Sequence, residues 1–419
     1  MPDVTIINAR IITAAGPQGG GPRRGEAMQE LGEIESGWLA IEAGRIAGLG
    51  SGEPPQNMQS EVTLDLDGRL VLPAWVDCHT HVCWTGSRLD EFEQQLAGVS
   101  YTDILESGGG ILSTVMAVRA ASMEQLADEL TGRAGRLQVF GTGTLEVKSG
   151  YGLTTEDELK MLRAIHACSQ TCDQLLVGTF LGAHAIDREQ PDFAHRVIEE
   201  TLPAVAEEFP GITCDAYLDQ GAWSLDEVRL LFERAIDLSC PLRLHADQFN
   251  SLGGVDLAVD LGARSVDHLE AITPKDITRL ATSNTAGVLL PASGFHLDGR
   301  YAPGRALIDA GAVVAIATNS NPGSAPTSSM PLTISLACRF CGLMPAEAII
   351  AATWNAANVL GVEDNTGSLE VGKRADLQVI DQRDYRAVAW EFGAVPPPIL
   401  LLDGQPVQFL ADTDHEEQE

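Results

Sequence analysis

The chain has 419 residues, 44% of them hydrophobic and 21% charged, which leaves room for a large core and excludes extensive disorder. Its 59 acidic residues against 27 basic ones give a formal net charge of −32, which disfavours sequence-independent nucleic-acid binding and attraction to anionic membranes. Only Lys148, Lys160, Lys275 and Lys373 are lysines, so an anionic substrate has to meet a local arginine.

In chain order, residues 4–13 and 38–49 read as strands, the second a hairpin turning at Ala43-Gly44, with a Gly-rich loop over 14–36. The first residues lack a basic start followed by an apolar core, and no apolar run reaches the length of a membrane span, so the expected location is the cytoplasm. Next comes Val71-Leu-Pro-Ala-Trp-Val-Asp-Cys-His79-Thr-His81, an apolar run ending in two histidines one residue apart. On a strand, alternation puts both imidazoles on one side, with Cα atoms about 7 Å apart, a pairing suited to one metal ion.

Further β-like runs lie at 142–148, 174–181, 212–218, 241–245, 264–268, 286–291 and 313–318, with helical patterns such as 154–169, 193–208 and 224–238 between them. Counting 71–77, the strand–helix alternation fits an α/β fold of the (β/α)8 type, a TIM-like barrel. No Gly-x-Gly-x-x-Gly follows an early strand, and the eight cysteines form no dense framework. Cys338-Arg-Phe-Cys341 falls in a helix-like run and reads as packed thiols. Strand patterns return at 367–381 and 398–404. The expected organisation is a barrel over 70–363 inserted into a small β-sandwich domain made from both chain ends, 1–69 and 364–419.

Chemistry in such a barrel sits at the C-terminal ends of the strands. Those ends carry His79 and His81, Glu146 and Lys148, His184, Asp215 and Asp219, His245 with Asp247 and Gln248, Asp267-His268-Leu-Glu270, Ser293, and Asn319 with Asn321. Five of the nine histidines fall there, whereas His166, His195, His296 and His415 do not. A shared metal-centred site accounts for that concentration better than five separate buried histidines.

Several runs are then specific: Val76-Asp-Cys-His-Thr-His81, Gly86-Ser-Arg88, Gly98-Val-Ser-Tyr101, Gly108-Gly-Gly-Ile111, Val147-Lys-Ser-Gly-Tyr-Gly152, Leu181-Gly-Ala-His184, Leu244-His-Ala-Asp247, Asp267-His-Leu-Glu270 and Asn321-Pro-Gly323. With the tail Gly367-Ser-Leu-Glu-Val-Gly-Lys-Arg-Ala-Asp376, the chain resembles the imidazolonepropionase family of the amidohydrolase superfamily over nearly its whole length. The resemblance implies hydrolytic opening of 4-imidazolone-5-propanoate to N-formimidoyl-L-glutamate, a step of histidine breakdown, by a cytoplasmic homodimer using one zinc or iron ion. It implies His79, His81, His245 and residue 319 as metal ligands. It also implies Arg88, Tyr151, His184, Gln248, Asn321, Gly323 and Ser324 as substrate contacts, with Tyr101 as a further one. Arg88 suits the propanoate, since a guanidinium grips a carboxylate through two parallel hydrogen bonds. His184 and His268 are the candidates for steadying the ring carbonyl or moving protons.

Two positions depart from the pattern. The strand-eight residue is usually aspartate in the family and here is Asn319, whose amide oxygen can approach a cation but cannot act as a base. The position of Gln248 is often glutamate. A catalytic role for Asn319 is therefore limited to its place beside the metal, and proton removal passes to His268, His184 or Asp247. Strand four, Ile212–Asp219, offers no lysine to bridge two ions, which favours a single metal. The same departures leave open a catalytically impaired binding homologue, or another cyclic-amide or amino-hydrolase of the superfamily.

Overall fold

The computed structural model describes residues 2–99, 109–393 and 396–407. Two sheets organise them. The first contains β1 (Val4–Ile12), β2 (Glu33–Glu42), β3 (Arg45–Ser51), β4 (Val62–Asp65) and β5 (Leu70–Pro73). The second is built from β6 (Trp75–Asp77), β7 (Thr142–Lys148), β8 (Leu175–Ala183), β9 (Thr213–Leu218), β10 (Leu242–Ala246), β11 (Ser265–His268), β12 (Ala286–Leu289) and β13 (Val314–Ile316). The chain then returns to the first sheet as β14 (Leu377–Ile380), β15 (Ile399–Leu402) and β16 (Gln405–Pro406).

The first sheet runs β16-β15-β14-β5-β1-β2-β3, with β4 also on β1. Both chain ends thus meet, as the patterns predict, in one mixed sheet that branches at β1. The reason lies in β1, whose register against β2 shifts twice between Ile6 and Ile11. Such irregularities bend a strand. The bend lets β4 pair with Val4–Ile7 and β5 with Arg10–Ile11 along the same edge. Ile6, Ile11, Leu39, Ile41, Val71, Leu377, Val379 and Leu401 fill the core of this sheet. The β2–β3 hairpin turns at Ala43-Gly44, where both residues have positive φ (49° and 76°), the two-residue turn that matches strand twist. β2 begins at Glu33, inside the expected loop, because Glu33 and Ile34 pair with Ile12 and Ile11.

The second sheet is parallel throughout, in the order β6 to β13. A parallel bridge between Thr80 and Ser320 closes it. The Asn319 amide donates to His79 O (3.1 Å) and the His81 amide to Ser320 O (2.9 Å), so the closing seam passes through the residues the motifs single out. The run 71–77 serves both sheets: it leaves the first at Pro73 and enters the barrel at Trp75. Helices pack outside the barrel, and their starts follow the sequence signals. Thr154 caps Thr155–Ser169, and Ser224 with Glu227 forms a capping box on Leu225–Asp237. Cys338 and Cys341 lie at the end of Met330–Phe340 as free thiols, and burial pushes them up to about 11 and about 12. No helix among the described residues is long and apolar enough to cross a membrane.

Candidate metal centre and active site

Barrel geometry brings five histidines to one end. His79 and His81 follow β6, His184 follows β8, His245 lies on β10 and His268 ends β11. The Nε2 of His81 sits 3.2 Å from His79 Nε2 and 3.4 Å from His245 Nε2. Nitrogens of His79, His245 and His268 also lie within 4.8 Å of one another.

Protonation follows from the partners. His79 Nδ1 lies 2.6 Å from Asp267 Oδ2, and His245 Nδ1 lies 3.0 Å from Asp215 Oδ1. A carboxylate only accepts, so each Nδ1 carries the hydrogen and each Nε2 presents a lone pair toward His81. One N–H on His81 could satisfy only one of these lone pairs, and its buried Nδ1 has no partner among the described residues. A tetrahedral ion with bonds of about 2.0–2.1 Å needs ligand nitrogens about 3.3–3.4 Å apart, close to the spacing here. Burial, with neighbouring cations and imidazoles, holds His79 and His81 far below the usual imidazolium range; burial also lowers His245. All three are neutral, the form that binds metal. The residues fit a cation.

Asn319, at φ +52°, is buried beside this cluster. Its Nδ2 donates to Ser293 Oγ (2.7 Å), and its Oδ1 has no partner among the described residues. An orphaned buried carbonyl oxygen is costly unless something occupies it, so Asn319 fits as a neutral fourth donor.

Beneath the histidines lies a chain of buried charge. Arg243 donates to Asp267 Oδ2 and to Glu146 Oε1, both at 2.6 Å. Lys148 reaches Glu146 Oε1 and Asp215 Oδ2, both at 2.7 Å. The path Asp267–Arg243–Glu146–Lys148–Asp215 therefore links the carboxylate behind His79 to the one behind His245. Three anions and two cations, all essentially inaccessible, leave one negative charge facing the metal position. Lys148 is thus fully engaged with carboxylates, and strand four supplies Asp215 where a bridging lysine is absent.

The remaining expected residues divide. His268 Nδ1 lies 3.2 Å from Glu270 Oε1, in a segment where His268 and Leu269 have φ of +90° and +71°. Strain of this kind collects at functional sites. His184 stacks on His81 at 4.9 Å, and its Nδ1 bonds Gly150 O at 3.1 Å, which leaves Nε2 as an acceptor. Burial, with His245 nearby, pushes His184 down to about 3, so it is a poor proton carrier at neutral pH. Tyr151 packs 5.2 Å from His184, and Tyr217 OH donates to Gln248 Oε1 (3.0 Å). Arg88 lies beside Gly323, where a Cβ would come within 3.2 Å of its NH1. Asn321 spends its amide inside its own loop, on Asn319 O, Ser324 Oγ and the Gly323 and Ser324 amides. Its side chain shapes the loop carrying Gly323 and Ser324. Tyr101 lies outside the described residues.

The sequence profile of the amidohydrolase family matches residues 70–407. The imidazolonepropionase of Herpetosiphon aurantiacus is 42% identical, covering 97% of each chain, and that of Chloroflexus aggregans is 40% identical, covering 97% of this chain and 98% of its own. The chain belongs to the imidazolonepropionases of the amidohydrolase family. Solved structures sharing the amidohydrolase fold include 5-methylcytosine deaminase from Klebsiella pneumoniae, with a TM-score of 0.74, 18% identity and 99% coverage of both chains. E. coli guanine deaminase follows with a TM-score of 0.70 and 16% identity, covering 96% of this chain and 98% of its own. At that identity they establish fold alone.

Asp215, Asp267, Glu146 and Glu270 are visible in the sequence as polar strand ends but receive no role there. Arg243 could have been found by alternation, since it shares a strand face with His245. Ser293 is likewise visible only as a polar strand end, and Glu91 gives no local signal, because its meaning depends on neighbours distant in sequence.

Proposed function

We propose that the chain opens 4-imidazolone-5-propanoate to N-formimidoyl-L-glutamate at a site holding one zinc or iron ion. The observation that carries this reading is the convergence of three neutral imidazoles, two backed by buried carboxylates, in the barrel mouth that also holds Arg88. His79, His81 and His245 would hold the ion, with Asn319 Oδ1 as a neutral donor. A divalent ion held there lowers the pKa of a water and supplies a nucleophile near neutral pH.

The chain's own residues do the rest. Arg88 receives the propanoate. His184, with Nε2 as acceptor, takes a hydrogen bond from a ring N–H. Gln248, fixed by Tyr217, offers its amide to a polar edge of the ring. His268, oriented by Glu270, accepts a proton from the attacking water. Water oxygen joins the ring carbonyl carbon, the bond from that carbon to its ring nitrogen breaks, and His268 returns the proton to the departing nitrogen. Asn319 favours a second reading, a slow homologue that binds substrate but lacks its base. The setting we propose, histidine breakdown in the cytoplasm by a homodimer, rests on the family alone.

The test is product formation by the purified protein from imidazolonepropanoate, beside a panel of aminated purine and pyrimidine rings. Ring opening of the first is expected; deamination of the panel with no action on the imidazolone would overturn the reading.

A further inference from the structure

Arg88 is already engaged. It precedes the helix Leu89–Leu96, and Glu91 sits in the first turn of that helix, with side-chain exposures of only 9% and 12%. Glu91 Oε2 lies 2.5 Å from Arg88 NH2. The other oxygen, Oε1, accepts from the Gly110 amide and from Ser113 Oγ, both at 3.0 Å. Glu91 is therefore anchored to the head of the helix Ile111–Ala120 by one oxygen and rests on the arginine with the other.

The rest of the guanidinium is lightly held. NH1 makes a long 3.4 Å contact with Thr114 Oγ1, and the buried Nε has no partner among the described residues. Oε2 is at ion-pair distance from NH2 but is not aligned as a hydrogen bond, so charge more than direction holds it. A guanidinium offers a carboxylate two bidentate faces, NH1 with NH2 and Nε with NH2, each giving two parallel N–H donors. Both include the nitrogen that Glu91 contacts. Gly323 leaves the approach to NH1 and NH2 open, since a Cβ there would come within 3.2 and 3.4 Å of them.

We infer that Glu91 is a resident counter-ion on Arg88, which the substrate's carboxylate must displace or share, and that it sets both affinity and selectivity for that end of the substrate. The inference rests on the proposed assignment of Arg88 to the propanoate. With Glu91 in place the charge of Arg88 is already balanced, so halides and simple carboxylates gain little by entering. A propanoate tethered to the correct ring gains the remaining contacts and wins the exchange. Glu91 is a specificity-determining residue, acting through Arg88.

Glu91→Gln separates this role from a structural one. Glutamine keeps Oε1 for Gly110 and Ser113 and turns an NH2 toward Arg88, which offers that guanidinium neither a charge nor an acceptor. The expected result is a KM roughly tenfold lower, inhibition by free propanoate strengthened roughly tenfold, and kcat moving far less, the size of one lost like-charge contact in a partly buried site. Glu91→Asp, which keeps the charge but withdraws it, should shift both constants the same way by less. An unchanged or raised KM and propanoate inhibition constant in these variants, at equal metal content, overturns the inference if Arg88→Met raises KM. Should Arg88→Met leave KM unchanged, the assignment of Arg88 itself fails and the inference falls with it.

Discussion

Asp267 is the most exacting place to perturb the metal centre without touching a ligand. Its two oxygens receive three donors: His79 Nδ1 and Arg243 on Oδ2, and Ser265 Oγ on Oδ1, each at 2.6 Å. In Asp267→Asn the amide has one acceptor oxygen. The least costly placement keeps that oxygen on His79 and Arg243 and turns the NH2 toward Ser265, whose hydroxyl must then find another acceptor. Geometry at His79 survives, but two charge-assisted hydrogen bonds become neutral ones, losing about 1 kcal/mol each. That loss at His79, together with the lower basicity of a ring no longer backed by an anion, weakens metal binding by about 10–100-fold, or about 1.4–2.7 kcal/mol in all. The loss at Arg243 appears as a less stable metal-free protein, by about 1 kcal/mol, since Arg243 keeps Glu146 and Cys78 O. Competition with a chromophoric chelator gives the first quantity, and thermal unfolding after chelation the second. A folded variant that binds zinc within twofold of the unaltered chain would refute the claim that the carboxylate behind His79 tunes that ligand.

Other perturbations test neighbouring parts of the site. Asn319→Asp should tighten metal binding roughly tenfold by adding an anionic ligand, with the Ser293 hydroxyl turning to donate. At equal metal content kcat should stay within about threefold, because His268 takes the proton; a tenfold rise would favour the slow-homologue reading. His268→Gln should lower kcat by about 100-fold or more in steady-state assays, with metal content unchanged. His79 and His81 are held well below, and His245 below, the usual imidazolium range, so the folded protein keeps them neutral under mild acid. Zinc binding at pH 6 should then release less than about 0.5 proton, whereas three ordinary imidazoles of pKa about 6.5 would release more than about 2. Calorimetry in buffers of different ionisation enthalpy measures the difference, and a release near 2 would show that burial does not protect these rings.

Most of the barrel is legible in the sequence because apolar runs such as 142–148 and 241–245 are short, separated by capped helices, and end in polar residues where strands must stop. The same feature exposes His79, His81, His184, His245 and His268. What periodicity cannot supply is the sheet to which an apolar run belongs. Residues 71–77 read as one strand, yet the chain changes sheets at Ala74, since apolar positions satisfy either core. The chain Asp267–Arg243–Glu146–Lys148–Asp215 is hidden for another reason. Each member is an ordinary inward-facing polar residue, and only barrel closure fixes which carboxylate meets which cation. Glu91 looks like a solvated acid in a helix's first turn; its contact with a buried arginine depends on Gly110 and Ser113, which anchor its other oxygen. The motif marks Asn321 but not the bonds its side chain makes within the loop carrying Gly323 and Ser324, because these depend on how that loop folds.

The central claim is a hydrolysis that depends on one metal ion at His79, His81 and His245. Its most direct test is turnover of imidazolonepropanoate measured against metal content per chain. About one bound ion, loss of turnover on chelation, and recovery with one equivalent of zinc or iron are expected. Undiminished turnover after complete metal removal, or no turnover with one ion bound per chain, would contradict it.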